Sequence, residues 1–141
     1  MLYISKEQAI GIHKMTIEIS GGGTNEILDF GKLEAVLEHI QNDEYYPTFV
    51  DKITHLFFCT CQFHCFADGN KRLAISLSAQ FLLLNGYLAI TSGFIKYMEN
   101  ISYHVAAGKI DKELLHEIMD SFLSGDFENE TIKFKIYKAI S

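Results

Sequence analysis

His64-Cys65-Phe66-Ala67-Asp68-Gly69-Asn70-Lys71-Arg72, followed at once by Leu73-Ala74-Ile75-Ser76-Leu77-Ser78-Ala79-Gln80-Phe81-Leu82-Leu83-Leu84, is the stretch on which the fold turns. From Asn70 to Leu84 the chain is apolar on nearly every side of a helical projection, and a helix apolar all round belongs at the centre of a bundle. Gly69-Asn70 opens that helix with its free N–H groups pointing outward, and Asn85-Gly86 supplies a left-handed stop. An open helix N-terminus binds phosphate. Arg72 sharpens the point, because it is the sole arginine of the chain. Its planar fork matches two phosphate oxygens, which a lysine cannot do.

Helical spacing extends to both sides of this stretch. Phe49, Ile53, Leu56 and Phe57 predict a helix running toward Cys61 and delivering His64. Before it, Leu33, Val36, Leu37 and Ile40 predict a short amphipathic helix, and Asp43 to Pro47 a connection. Ser5 with Gln8 three residues later has the form of a capping box, and Ile10, His13 and Ile17 follow at helical spacing, so a first helix is expected over about 5–19. Gly21-Gly22-Gly23-Thr24 ends it; without a following Lys-Ser/Thr this run is a turn and no phosphate cradle. Beyond the central helix, Phe94 to Ala107 predicts a helix closed by Gly108, and Asp111 caps another through Phe122. The tail Thr131-Ile132-Lys133-Phe134-Lys135-Ile136-Tyr137 alternates like a strand and equally fits a helix through Ile132, Ile136 and Ile140, leaving both open. The expectation is an all-α, compact bundle of about six helices.

With 141 residues, 48% of them apolar, the chain can bury one good core and is too short for two ordinary domains. A single domain over 1–141 is expected, with a C-terminal tail from 126 to 141. The net charge of −6 argues against direct nucleic-acid binding, which needs a cationic face to displace counterions. Cys59, Cys61 and Cys65 are odd in number and lack framework spacing, so a disulfide scaffold is not expected and reducing cytoplasm is the expected compartment. With no C-x₂-C pair they are also poor zinc ligands, and buried free thiols are the better reading. A Cys65 nucleophile served by adjacent His64 is disfavoured because sequence neighbours diverge. No signal pattern is apparent, and the most apolar run, Ala79 to Ile90, is too short to span a bilayer, so no membrane role is expected.

The run from His64 to Arg72 resembles the signature of the Fic/Doc family, His-x-Phe-x-Asp/Glu-Gly-Asn-Gly/Lys-Arg. The resemblance extends to Ile4-Ser5-Lys6-Glu7-Gln8, to Gly21-Gly22 followed by Gly31-Lys32-Leu33-Glu34, and to Asn85-Gly86-Tyr87. It covers roughly residues 2–125, in the compact death-on-curing (Doc-like) arrangement. It implies an ATP- and Mg²⁺-dependent transferase that modifies a Ser, Thr or Tyr hydroxyl on a protein. His64 is then the general base that takes the hydroxyl proton, a task suited to imidazole near neutral pH. Asp68 holds Mg²⁺, a hard ion that takes oxygen ligands. Gly69 lets the backbone approach the phosphates, Asn70 adds an amide donor, and Lys71 and Arg72 neutralise phosphate charge. Phe66 supports the loop from the core.

Two departures bear on the reaction. Many adenylylating members have Gly where this chain has Lys71, and a second Arg where it has Ile75. Both departures look Doc-like and favour transfer of the γ-phosphoryl group, while Gly69, shared with the Fic side, keeps adenylylation (AMPylation) open. Tyr45 and Tyr46 lie where the family places a flap that aligns the target, and ordinary packing explains them equally. Ser124-Gly125-Asp126-Phe127-Glu128-Asn129 matches the inhibitory pattern of some small Fic proteins through Ser124 and Glu128, although the arginine that pairs with such a glutamate is Ile75 here. A Doc-like chain would be the toxin of a toxin–antitoxin pair, held by a Phd-like antitoxin whose disordered segment folds over the ATP site. The reading from another class is a non-catalytic nucleotide- or partner-binding module on the same fold.

Overall fold

The computed structural model describes residues 1–19, 30–63, 70–127 and 129–141. The glycine run at 21–24, expected as a turn, the motif positions His64, Cys65, Phe66, Asp68 and Gly69, and Glu128 lie outside the described residues. Seven α-helices follow one another among the described residues: α1 (Lys6–Ile19), α2 (Phe30–His39), α3 (Phe49–Phe63), α4 (Asn70–Leu84), α5 (Thr91–Ala106), α6 (Lys112–Leu123) and α7 (Glu130–Ile140), with a 3-10 turn at Leu88–Ile90. No strand occurs among them.

Helix α4 is the hub. It buries Leu73, Ala74, Ile75, Leu77, Ser78, Ala79, Phe81 and Leu82 and packs against α3, α5 and α1, while α3 packs in turn on α2 and α6. An apolar surface on several faces needs neighbours on several sides, and this arrangement provides them. At the far end of α4, Phe81 stacks on Phe49 with centroids 4.8 Å apart, and Phe49 on Tyr87 at 5.0 Å. Gly86 takes φ of +91°, and Tyr87 N–H reaches back to Leu82 O at 3.0 Å, the bond that closes a Schellman turn. Asn85 then clips the N-terminal segment: its side chain accepts from Leu2 N–H and donates to Leu2 O, both at 2.9 Å.

The caps read from the sequence are present. Ser5 N–H donates to Gln8 Oε1 at 2.8 Å and Gln8 N–H to Ser5 Oγ at 3.1 Å, the reciprocal pair of a capping box. Asp111 accepts from Leu114 N–H at 2.8 Å. The bundle of about six helices counts seven among the described residues, because the tail left open between strand and helix is α7: Asn129 caps it by accepting from Ile132 N–H, and Ile132, Ile136 and Ile140 lean on the core while Phe134 and Tyr137 face outward. The helix expected from Phe94 starts at Thr91, where Thr91 Oγ1 bonds Tyr87 O at 2.8 Å across the 3-10 turn.

Candidate functional site

Helices α3 and α4 set the two ends of the motif. A second reciprocal cap starts α3: Thr48 N–H donates to Asp51 Oδ2 and Asp51 N–H to Thr48 Oγ1, each at 3.1 Å. Lys52, only 1% exposed, anchors α3 on the end of α2 by donating to Ile40 O at 2.6 Å and to Asp43 at 2.7 Å. A lysine on the last carbonyls of a helix complements its dipole. Burial opposes the charge on Lys52, yet the bonds to Asp43 and Tyr3 raise its pKa above the ordinary value. At the other end, Gln62 Nε2 donates to Val105 O, tying the exit of α3 to α5.

Beyond residues 64–69, α4 begins with Asn70, Lys71 and Arg72. Leu73 and Ala74 are wholly buried directly behind them, so the first turn of α4 is pinned while Lys71 and Arg72 stay exposed. That turn holds no acidic residue. Helix N-termini favour Asp and Glu, and two cations there are unfavourable unless an anion comes from outside. Neither Lys71 nor Arg72 makes an ion pair with a described residue. Arg72 also lines a mainly apolar cavity of about 520 Å³ between α1, α4 and α5, together with Ile12, Ile75 and Ile95. Ile75 is 7% exposed, so the position of the family's second arginine is part of an apolar wall. Phosphate therefore fits this turn, and a carboxylate at position 68 has the hard oxygen donors that suit Mg²⁺.

The other sequence candidates sit elsewhere. Among the described residues no cluster of three His, Cys, Asp or Glu could hold a metal. Cys59 and Cys61 are buried and form no disulfide with a described residue. Burial pushes Cys61 up to about 12 despite the nearby charge of Lys71, which makes it inert as a nucleophile. Ser124 ends α6, its hydroxyl bonded to Ser121 O at 3.1 Å, and Gly125 at φ +86° turns the chain away from the helix. Tyr45 and Tyr46 fall in the α2–α3 connection. Tyr46 packs on His55 with centroids 4.4 Å apart, and His55 precedes the end of α3 by roughly 12 Å along the axis. Both tyrosines line a second groove, with Asp51, Lys112 and His116.

That groove was not anticipated from the sequence. Lys112 Nζ lies 2.7 Å from His55 Nδ1, and His116 Nε2 2.8 Å from Asp51 Oδ1. Burial first, then the charges of Lys112 and His39, lower His55 from 6.5 to about 4. The one local signal was the polar residue His55 on the inner face of α3. The Thr48-Phe49-Val50-Asp51 cap, also not anticipated, has the spacing of a capping box.

An all-helical domain whose hub helix opens on Asn-Lys-Arg, directly after a His-x-Phe-x-Asp-Gly sequence, is a Fic/Doc-type transferase domain. The chain belongs to the Fic/DOC family, whose profile matches residues 3–82. It is 30% identical over 97 residues to the protein named Toxin Doc of Mycolicibacterium smegmatis (strain ATCC 700084 / mc(2)155), covering 66% of this chain and 75% of that one. It is 33% identical over 90 residues to the Protein kinase doc of Escherichia phage P1, covering 61% of this chain and 70% of that one. None of the described helices is long and apolar enough to cross a membrane.

Proposed function

We propose that this protein is a Doc-like kinase that moves the γ-phosphoryl group of ATP to a Ser, Thr or Tyr hydroxyl of a target protein in the cytoplasm, as the toxin of a toxin–antitoxin pair. The observation that carries this reading is the acid-free first turn of α4, which presents Lys71 and Arg72 to solvent immediately after the motif. His64 takes the proton of the attacking hydroxyl as the new oxygen–phosphorus bond forms, and ADP leaves with the electrons of the broken one. Lys71 and Arg72 hold phosphate oxygens with the N–H groups that open α4, and Asn70 adds its amide. Asp68 would hold Mg²⁺, which when bound neutralises charge on the phosphates. The buried Ile75 supports phosphoryl over adenylyl transfer, since no second arginine stands there to hold the terminal phosphate of ATP in the adenylylating orientation. The phage relative named as a protein kinase points the same way. The apolar cavity flanking Arg72 suits the folded segment of a Phd-like antitoxin.

The test is incubation of the protein and its His64→Ala variant with cell extract, Mg²⁺ and ATP labelled at either the α or the γ phosphate. Label from γ alone, absent in the variant, is the expected result. Label from α would make the protein an adenylyltransferase. A variant as active as the parent would remove His64 from the role of base, and ATP binding without any product would leave a binding module.

A further inference from the structure

The groove between the α2–α3 connection, α3 and α6 contains a hydrogen-bond chain with a fixed direction. The Lys112 ammonium only donates, so His55 Nδ1, at 2.7 Å, accepts. The neutral imidazole then carries its proton on Nε2, and that N–H donates to the Tyr46 hydroxyl oxygen at 3.3 Å. Tyr46 keeps its own O–H proton without an acceptor among the described residues. Lys112 keeps two N–H groups, lies 5.5 Å from the centre of the Tyr46 ring, and has no carboxylate partner among the described residues.

Thr54 adds an independent sign. It lines the same groove and is 1% exposed, and its hydroxyl has no partner among the described residues. Helical threonines usually satisfy themselves on the carbonyl four residues earlier, as Thr16, Thr60 and Thr91 do here. The groove thus collects donors that no described residue satisfies.

The remaining charges narrow what could satisfy these donors. Asp51 is held by His116 and Glu117 by Lys135, at 2.8 and 2.7 Å. Glu113, exposed and next to Lys112, lines the groove without an ion pair among the described residues, and it disfavours a multiply charged anion. At about 780 Å³ the groove is in the size range of small-molecule sites. We propose that it binds a monocarboxylate carried on an aromatic body, its oxygens taking the free protons of Lys112 and Tyr46 and its ring lying beside Tyr45. This site is separate from the motif and does not depend on which phosphorus the enzyme transfers.

The test is an NMR titration that follows the ¹⁵N signals of the His55 imidazole in the full chain. N-acetylphenylalanine is expected to shift them saturably, and N-acetylphenylalaninamide, the same body without the charge, to leave them unmoved. Lys112→Met is expected to weaken binding about tenfold or more, the loss of a charge-assisted bond. Tyr46→Phe, which preserves the packing, should weaken it by roughly threefold to tenfold. A capped Tyr-Asp dipeptide amide distinguishes the sources: tighter binding than the free acid assigns the site to an acidic segment of a protein, and weaker binding to a small molecule. No saturable shift with either acid, equal binding of the amide, or unchanged binding in both variants overturns the proposal.

Discussion

The two ends of α3 use charge in opposite ways. Near its start, Lys52 meets Asp43, Asp51 meets His116, and Glu117 on α6 meets Lys135 on α7. Beyond its end, Lys71 and Arg72 stand exposed on the first turn of α4 with no ion pair to a described residue. Charges that close on each other hold helices together, and exposed pairs of that kind contribute little beyond geometry. Cations placed against a helix dipole and left open suit an anionic ligand. Within the paired half Lys112 meets no carboxylate of a described residue, and that groove is the second site proposed above.

The largest effect expected along this divide is at Arg72. Arg72→Ala should lower the transfer rate by about 10²–10³-fold, the usual consequence of removing one charge-stabilising donor, while urea unfolding moves by no more than about 0.5 kcal/mol. Its sequence neighbour should do the reverse. Leu73 is fully buried, and Leu73→Ala should cost about 2–5 kcal/mol of stability with transfer per folded molecule little changed. Labelled transfer and urea melts on both variants decide the matter. An unstable but active Arg72 variant would make that arginine part of the packing and dissolve the contrast.

The two halves also differ in how far the sequence revealed them. The span of α4 was readable to the residue because its apolar surface runs all round and Gly86 ends it; the first-turn cations came with it. The paired half was not readable, because its bonds join residues remote in sequence: Lys112 reaches His55 from 57 positions away and His116 reaches Asp51 from 65. No local period encodes such contacts. Lys52 shows the same limit, since a lysine on a helix reads as solvated until the carbonyl of Ile40 and the Asp43 side chain are brought to it. The tail was ambiguous for a different reason: its residues satisfy periods of two and of 3.6, and only the position of the core chose the helix.

A smaller effect, on the order of 3 kcal/mol at most, should appear as a pH dependence confined to the paired half. Lys112, His39, Tyr46 and Cys59 face His55, which stays neutral in the folded protein down to about pH 4. The unfolded chain takes that proton near 6.5. Between those values the unfolded state binds more protons, so stability rises with pH and is lost as pH falls from 6.5 toward 4. Asp43 and Asp51 act below this window. The bond and charge of Lys52 hold Asp43 low, and against burial the bonds from Thr48 and His116 hold Asp51 low. Their contribution is therefore present above 3.8 and lost only in stronger acid. Urea melts at pH 7 and 4.5 should show the loss in the parent chain and a flat profile in His55→Phe. A parent profile already flat would mean that His55 takes its proton as readily in the folded as in the unfolded chain and that the groove does not hold it neutral.

The smallest effect separates the ends most cleanly. Thr48 caps α3 through two bonds with Asp51, its Oγ1 also donating to Oδ2 at 2.8 Å, and Asp51 in turn holds His116 on α6. Thr48→Ala removes the cap and should cost about 1 kcal/mol, with Thr48→Ser restoring most of it, both read from urea midpoints. Helix α3 runs roughly 21 Å from this cap to the motif, and its far end is held independently by Gln62 on Val105. Fraying of the first turn should therefore stop short of His55, leaving transfer at the parent rate. If Thr48→Ala slowed transfer as Arg72→Ala does, α3 would be acting as one rigid lever between the paired groove and the open cations, and the two ends would be one site.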